Sequence, residues 1–215
     1  MIDKPLHWTS FDVVRKIRNT IRIKKVGHAG TLDPLATGLL IVCTGKYTKK
    51  INEYMAREKT YTGTITLGAV TPTYDLESTP EQTKDVSAIT AAAIHAAANK
   101  FMGDIMQVPP IYSAIKKNGV ALYSLARRGE EVELVARPVH IQQFEITNIN
   151  MPVIGFKIVC TTGTYIRSLA HDLGQALVCG GYLSELRRTA IGEFKSENAL
   201  TIEDFMNGFA KKEID

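Results

Sequence analysis

Apolar and polar residues recur with two different periods along this chain, and the two periods predict both helices and strands. Near the N-terminus, four apolar residues recur at the spacing of one helix face: Val13, Val14, Ile17 and Ile21. Thr9 and Asp12 precede them at the spacing of a capping box, with aspartate in the place of glutamate. We therefore expect an amphipathic helix that begins beside Thr9 or Ser10.

The rest of the chain contains further predicted strands, helices and loops. Strict alternation predicts a strand over 61–67, and β-rich runs predict strands over 132–149 and 153–162. Helical spacing or composition predicts helices over 46–57, 87–101, 122–129, 165–177 and 200–207. Glycine and proline predict loops over 26–34 and 70–86. A short apolar segment at 35–42 follows the first of these loops. Helices and strands are interspersed without repeats, so we predict one mixed α/β domain over 1–215.

Composition narrows the class of protein. Hydrophobic residues make up 45% of the 215 positions and charged residues 22%, which is ordinary for a globular chain and excludes disordered, collagen-like and coiled-coil classes. No apolar run reaches the roughly 18 residues of a membrane span, and the N-terminus lacks the apolar core of a signal peptide. The three cysteines are too few and too scattered for a disulfide framework or a zinc site. These features favour the reducing cytoplasm.

Positive charge is concentrated in the first quarter of the chain. Residues 1–60 hold twelve Lys and Arg against five Asp and Glu, whereas the whole chain carries a net charge of only +4. Three of these cations, Arg15, Arg18 and Arg22, lie on one side of the first predicted helix, and Lys24 and Lys25 lie just past it. Such clustering is typical of a surface that binds a polyanion, although a solvated helix face has the same pattern.

The glycine-containing loop at 27–38 presents a carboxylate, Asp33. Because Pro34 suits the first position of a helix, Asp33 could simply cap a helix that starts there. Alternatively, Asp33 is a nucleophile or a general base held on a rigid loop. The loop lacks the spacing of a Walker A or dinucleotide-binding motif.

A second group of candidates lies on and near the helix at 165–177. Arg167 sits one residue into this helix, where a cation is disfavoured, so we expect it to have a buried partner in either a structural ion pair or a functional site. The pair His171 and Asp172 resembles half of a metal-phosphohydrolase site, but we expect Asp172 to face solvent. Tyr61, at the start of its strand, is either a packing residue or a functional one.

Seven motifs then occur in a fixed order. They are Asp3-Lys4-Pro5 with Trp8-Thr9-Ser10, the 27–38 loop, Lys59-Thr60-Tyr61, Leu67-Gly68, the 107–116 segment, Gly163-Thr164-Tyr165-Ile166-Arg167, and Leu186-Arg187-Arg188. Together they resemble the bacterial tRNA pseudouridine synthase B (TruB) family over nearly the whole chain. The resemblance implies an α+β catalytic domain with a central mixed, largely antiparallel sheet. It also implies isomerisation of the T-loop uridine at conventional position 55 of tRNA to pseudouridine.

The resemblance assigns roles to individual positions. Asp33 becomes the catalytic aspartate, Tyr61 stacks on the base and serves the removal of the C5 proton, and Arg167 pairs with Asp33. Substrate-binding positions are implied for His28, Lys49, Asp75, Tyr165 and Leu186. The cations at positions 15, 18, 22, 24 and 25 would contact the RNA backbone. Pro72 departs from the family's T-D-T-x-D pattern, because it stands where the first aspartate is expected.

The resemblance also bears on cofactors and partners. Isomerisation changes no atom count, so we expect no cofactor and no metal. The expected partner is the T-arm of tRNA, with no membrane and no protein partner, and a monomer as the default. We expect no C-terminal PUA domain, a module that many members carry. Two other functions stay open, namely an RNA-binding module that has lost catalysis and a metal-dependent phosphohydrolase built on His171 and Asp172.

Overall fold

The computed structural model describes residues 1–117, 119–130 and 132–210. This part of the chain divides into two compact units. The first unit comprises Met1–Thr62 and the described residues from Glu185 onward, so it combines the two ends of the chain. The second unit is the continuous stretch Gly63–Ser184. A single domain over 1–215 stays a prediction.

Strands and helices are interspersed in chain order. The strands are β1 (Ile2–Lys4), β2 (Val26–His28), β3 (Ala36–Leu40), β4 (Val42–Thr44), β5 (Lys59–Leu67), β6 (Gly103–Gln107), β7 (Lys116–Lys117), β8 (Val120–Ala121), β9 (Arg137–Asn150), β10 (Val153–Cys160), β11 (Gly181–Ile191) and β12 (Phe194–Lys195). The helices are α1 (Ser10–Ile21), α2 (Ile51–Ala56), α3 (Ala91–Asn99), α4 (Leu122–Arg127), α5 (Ile166–Ala176) and α6 (Ile202–Ala210), with 3₁₀ turns at Gly45–Lys50 and Ser196–Asn198. None of the helices in these described ranges is long and apolar enough to cross a membrane.

In the first unit, strands from both chain ends form one sheet. β1 pairs antiparallel with β3, β3 pairs parallel with β11, and β11 lies beside β5 and β12. The capping box begins α1 as expected, because the Asp12 amide donates to the Thr9 hydroxyl and the Thr9 amide donates to the Asp12 carboxylate. The apolar face of α1 packs into a core cluster with Ile2 and Leu40.

The parallel pairing of β3 with β11 requires a glycine. Gly38 has a φ of 102°, and a Cβ atom there would lie 2.3 Å from the carbonyl oxygen of Arg188. Only glycine takes this angle without strain and also leaves room for the neighbouring backbone. Gly38 therefore lets the strand that follows Asp33 approach β11 directly.

In the second unit, the sheet runs in the order β5, β10, β9 and β6. β9 and β10 form a long antiparallel hairpin, in which Val153 pairs with Asn150, and β6 pairs antiparallel with the far side of β9. Along β10, fully buried residues alternate with half-buried ones, as a sheet with one covered face requires. The mixed, largely antiparallel sheet that the resemblance implied is confirmed, as is the α+β fold class.

Several predicted boundaries differ from those observed. The 26–34 loop begins with a short strand, β2, which pairs with β4. The 70–86 segment has no helix or strand, as expected, but Thr71, Thr73 and Asp75 are buried, so it is not simply a surface loop. The expectation of an exposed Asp172 was wrong, because its side chain is half-buried on α5. β11 was not predicted at all.

Helix α5 contacts the start of β11 backbone to backbone, which makes a testable demand on Gly174. A Cβ atom at this position would lie 2.1 Å from the Gly181 nitrogen and 2.2 Å from the Gly180 carbonyl carbon. Gly174→Ala should therefore lower the free energy of unfolding by about 3 kcal/mol, although alanine favours helices. The matched control is Gly208→Ala in α6, where a Cβ atom meets nothing within 4 Å and should add up to about 1 kcal/mol. Denaturant unfolding measures both, and a stabilised Gly174→Ala protein would contradict this packing.

Burial of Asp172 predicts a pH dependence of stability. Burial raises the pKa of this carboxyl from 3.8 to about 6, so the folded chain holds the proton more tightly than the unfolded chain does. Stability that is present below about pH 4 is therefore lost as the pH rises to about 6. Asp172→Asn should stabilise the protein by about 1 kcal/mol at pH 7, after allowance for partial exposure, and by much less at pH 4. Equal effects at the two pH values would contradict it.

Candidate active site

In the first unit, the backbone of the loop that carries Asp33 is held by buried side chains. The alternative that Asp33 caps a helix was wrong, because the Ala36 amide donates to the Asp33 carbonyl in a turn that leads straight into β3. The Ser10 hydroxyl donates to the Leu32 carbonyl at 3.2 Å and accepts from the Leu32 amide at 2.8 Å. Both backbone groups of the residue before Asp33 are thus fixed by the start of α1.

Arg188, on β11, holds the other side of this loop. It is 1% exposed, and its guanidinium donates to the carbonyls of Leu39 at 2.8 Å, Gly30 at 3.1 Å and Thr31 at 3.4 Å. Three backbone acceptors around Asp33 are therefore bound by one planar cation, whose donors have a fixed geometry.

Lys4, on β1, is the second buried cation of the loop. It has no exposed surface, and its Nζ donates to the carbonyls of Trp8 at 2.5 Å, Pro5 at 2.9 Å and Pro34 at 3.4 Å. Burial lowers the pKa of Lys4 to about 8, while the Asp33 carboxylate raises it and Arg188 lowers it further. Lys4 is therefore close enough to Asp33 for their charges to interact.

No role in holding the Asp33 loop was predicted for Lys4, Ser10 or Arg188, although all three lie within the sequence motifs. A buried cation has no periodic signature, and its partners here are backbone carbonyls, which no sequence pattern identifies.

Other predicted residues of the first unit line different elements. His28 lies half-buried on β2. Burial lowers the pKa of its imidazole and outweighs a backbone hydrogen bond with Gly30, which raises it, so the ring is held neutral. Tyr61 is 8% exposed on β5. Leu186 is half-buried on β11, opposite Ala36 of β3. Lys49 lies exposed on the 3₁₀ turn.

In the second unit, Arg167 lies on the first turn of α5 and is 5% exposed. Its guanidinium donates to the carbonyls of Thr73 at 3.1 Å and Tyr112 at 3.0 Å, and its Nε lies 3.6 Å from a carboxylate oxygen of the buried Asp75. The expected buried ionic partner is thus observed in Asp75. Both charges are buried away from water. The two backbone carbonyls fix the orientation of the Arg167 guanidinium beside Asp75.

Two further contacts fix the same region of α5. The side chain of Gln107 accepts from the Tyr165 amide at 2.8 Å and donates to the Tyr165 carbonyl at 3.0 Å. His171, one turn beyond Arg167, stacks on Tyr74 with ring centroids 4.0 Å apart and an interplanar angle of 14°. The 71–75 segment is therefore clamped to one face of α5 by two side chains four residues apart.

These contacts bear on the metal-site alternative for His171 and Asp172. Within residues 1–117, 119–130 and 132–210, no three His, Cys, Asp or Glu side chains are grouped so as to hold a metal ion. His171 instead packs flat against an aromatic ring.

The predicted phosphate-binding cations differ in availability. Arg22, Lys24 and Lys25 are exposed at the end of α1 and just beyond it. Arg15 is exposed but paired with Asp12 at 2.6 Å. Arg18 is half-buried, since its guanidinium lies over the Phe11 ring and reaches the Val26 carbonyl at 3.5 Å.

Comparison with known proteins identifies relatives over almost the whole chain. Residues 18–166 match the model of the TruB family pseudouridylate synthase (N terminal domain), and residues 167–215 match the model of the tRNA pseudouridylate synthase B C-terminal domain. A protein named tRNA pseudouridine synthase B from Flavobacterium johnsoniae is 52% identical over 209 residues, covering 94% of this chain and 91% of that protein. One of the same name from Phocaeicola vulgatus is 47% identical, covering 99% and 93%.

Solved structures agree with these relatives. The chain aligns with a TM-score of 0.76 and 30% identity to a chain of a Cbf5-Nop10-Gar1 complex, and with 0.74 and 28% to one of an H/ACA RNP bound to a substrate RNA containing 2'-deoxyuridine. This chain spans about half of each, 55% and 54%. Asp33 lies in the part of the chain that the N-terminal family model covers, and Arg167 begins the part that the C-terminal model covers. Because two family models together match residues 18–215 and relatives along nearly their full length are about 50% identical, the chain belongs to the TruB family of pseudouridylate synthases.

Proposed function

We propose that this chain converts a uridine of tRNA to pseudouridine, and that its target is the T-loop uridine at conventional position 55. The observation that carries the proposal is the loop of Asp33, whose backbone is bound by Ser10, Lys4 and Arg188, in a chain 52% identical to a tRNA pseudouridine synthase B. A loop whose backbone is bound at this many points keeps a reacting group in a fixed position, which is what catalysis by positioning requires.

The reaction breaks the N1–C1′ glycosidic bond, turns the uracil and forms a C5–C1′ bond, so no atom is gained or lost and no cofactor is needed. Asp33 starts it either by attacking an electrophilic carbon or by taking the C2′ proton to give a glycal. Both routes need an ionised carboxylate, and the positive charge of Lys4 is close enough to interact with it. We assign Arg167 as a further partner of Asp33, and Tyr61 to the removal of the C5 proton.

Access to the base requires that the uridine leave its stack. We assign His28 to the support of the extruded base, since a neutral imidazole stacks on a base without a charge to desolvate. Leu186 would line the pocket, with Lys49, Asp75 and Tyr165 as the remaining substrate-binding positions. The Arg167–Asp75 pair would keep the guanidinium oriented.

The RNA is held outside the pocket by its backbone. Of the five predicted cations, the exposed Arg22, Lys24 and Lys25 are the best placed to meet phosphates, and Arg15 and Arg18 contribute less because they already have protein contacts. Recognition of the T-arm would then rest on shape and charge. We place the protein in the cytoplasm as a monomer, with tRNA as its partner.

Asp33→Asn should abolish product and leave RNA binding within about tenfold of the parent, because an amide of the same shape cannot act as nucleophile or base. The measurement is pseudouridine mapping of a T-arm stem-loop and of whole tRNA, without added metal. Glu197→Gln, which removes an exposed carboxylate of the same unit, is the matched control and should retain activity. Turnover by a clean Asp33→Asn preparation would overturn the assignment. Product-free wild type that still binds RNA would indicate a binding module.

The exposed cations make a separate, electrostatic prediction. Arg22→Gln, Lys24→Gln and Lys25→Gln combined should weaken stem-loop binding and flatten its salt dependence. Each lost phosphate contact should lower the log–log slope by roughly 0.7–0.9, and three should lower it by roughly 2 to 3. Affinities measured by fluorescence anisotropy over a salt series test this, with the exposed Lys195→Gln as a single-charge control. An unchanged slope in the triple variant would show that these residues do not face the RNA.

A further inference from the structure

The first unit has a cleft that the proposed reaction leaves without a role. Its volume is about 350 Å³, within the range of small-molecule sites, and it lies at the start of α1. Its lining residues come from the β1–α1 connection and one face of the helix: His7, Trp8, Asp12, Arg15, Lys16 and Asn19.

The chemistry of the lining suits a planar anion. Two aromatic rings, those of His7 and Trp8, stand with two cations, Arg15 and Lys16. Asp12 opposes them with one negative charge, but its carboxylate already accepts from Thr9 and Arg15. The cleft therefore keeps positive charge beside aromatic faces, which is the combination that binds a base together with its phosphate.

This is not a helix N-terminus used as an anion site. The Thr9 hydroxyl accepts the Asp12 amide, and the helix start is closed by its own capping box. What the cleft offers to a ligand comes from side chains, of which His7, Lys16 and Asn19 are exposed.

The cleft is tied directly to the loop that carries Asp33. The His7 amide donates to the Pro34 carbonyl at 2.8 Å. The Nζ of Lys4 joins the Trp8 carbonyl, at 2.5 Å, to the same Pro34 carbonyl, at 3.4 Å. The backbone of the two aromatic residues of the cleft is thus bound to Pro34, the residue that follows Asp33.

The backbone at His7 supports a role for its side chain. Its φ is 64°, in the left-handed region that glycine takes without strain and that a histidine occupies at a cost. Non-glycine residues in this region are concentrated at functional sites. Here the strained residue contributes an aromatic ring to the cleft.

We propose that this cleft binds one unpaired nucleotide of the RNA substrate, adjacent in the chain to the target uridine. The base packs against His7 and Trp8, and the phosphate is met by Lys16, whereas Arg15 stays paired with Asp12. The inference rests on the proposed function, which supplies the RNA, and adds a second, base-dependent contact beside the uridine pocket. Binding at the cleft holds the loop nucleotides apart and so favours the extruded state of the target.

The test is a double-mutant cycle between protein and RNA. The RNA probes are T-arm stem-loops in which each unpaired nucleotide except the target is replaced in turn by an abasic one, which keeps the phosphate and removes the base. The protein variants are His7→Gly, which removes the ring and relieves the positive φ, and Lys16→Gln. Trp8 is left unchanged because it also packs against the core of α1. Lys100→Gln, an exposed cation of the second unit, is the matched control.

With wild type, one abasic position should raise Kd by roughly 5- to 100-fold, the usual range for loss of one stacked base. In His7→Gly that penalty should shrink several-fold, while Lys100→Gln should keep it in full. Lys16→Gln should weaken every stem-loop to a similar degree and lower the salt slope by roughly 0.7–0.9.

An abasic penalty of the same size in His7→Gly and wild type would overturn the proposal, as would the lack of any penalty in wild type. Thermal unfolding of His7→Gly should show a Tm at or above that of the parent, so that weaker binding is not a loss of folding. Product formation on the unmodified stem-loop separates the two levels. If wild type forms product but the effects of His7→Gly and of the abasic nucleotide simply add, only the proposal for the cleft is overturned. If wild type forms no product, the proposed function is overturned, whatever the binding data show.

Discussion

The guanidinium of Arg188 binds three backbone carbonyls around Asp33, and the geometry of the first unit follows from this contact. A fully buried cation is costly unless its donors are satisfied, so the chain must bring enough acceptors to it. Two of the three carbonyls, those of Gly30 and Thr31, belong to a loop outside the sheet and are therefore available as acceptors. The same contact that satisfies Arg188 therefore also fixes the loop, and Gly38 is needed because the loop must lie directly against the backbone of Arg188.

Lys4 repeats this arrangement from the other side. Its ammonium binds three carbonyls, and burial brings its pKa down to about 8 even though Asp33 opposes the shift. The excess of positive charge in the first sixty residues thus has two origins. Part of it is exposed at Arg22, Lys24 and Lys25, and part of it is internal, where Lys4 and Arg188 bind backbone carbonyl oxygens.

Local patterns were sufficient for some elements and not for others. The capping box at Thr9, the alternation in β5 and the apolar face of α1 are short-range signals, and each appears as predicted. β11 was missed because its burial does not alternate: Arg188 is buried at a position where a charge indicates solvent. Asp33 was compatible with a helix cap because Pro34 favours a helix start, and the parallel pairing of β3 overrides that preference. For the candidate site, motif order predicted Asp33, Tyr61 and Arg167 as functional residues, and these roles stay predictions. The carbonyl contacts of Lys4 and Arg188 and the stack of Tyr74 on His171 depend on tertiary structure, which a pattern of side chains does not encode.

The division of the chain also determines when the Asp33 loop acquires its final form during synthesis. The second unit is a continuous stretch, but the first unit joins residues before Thr62 to residues after Glu185. A ribosome releases Asp33 early and Arg188 more than 150 residues later. Until that arginine emerges, β3 lacks its parallel neighbour and the loop carbonyls lack their cation. A nascent chain therefore contains the Asp33 motif long before it has the contacts that position this residue, and premature termination anywhere before β11 leaves a product that carries Asp33 without them.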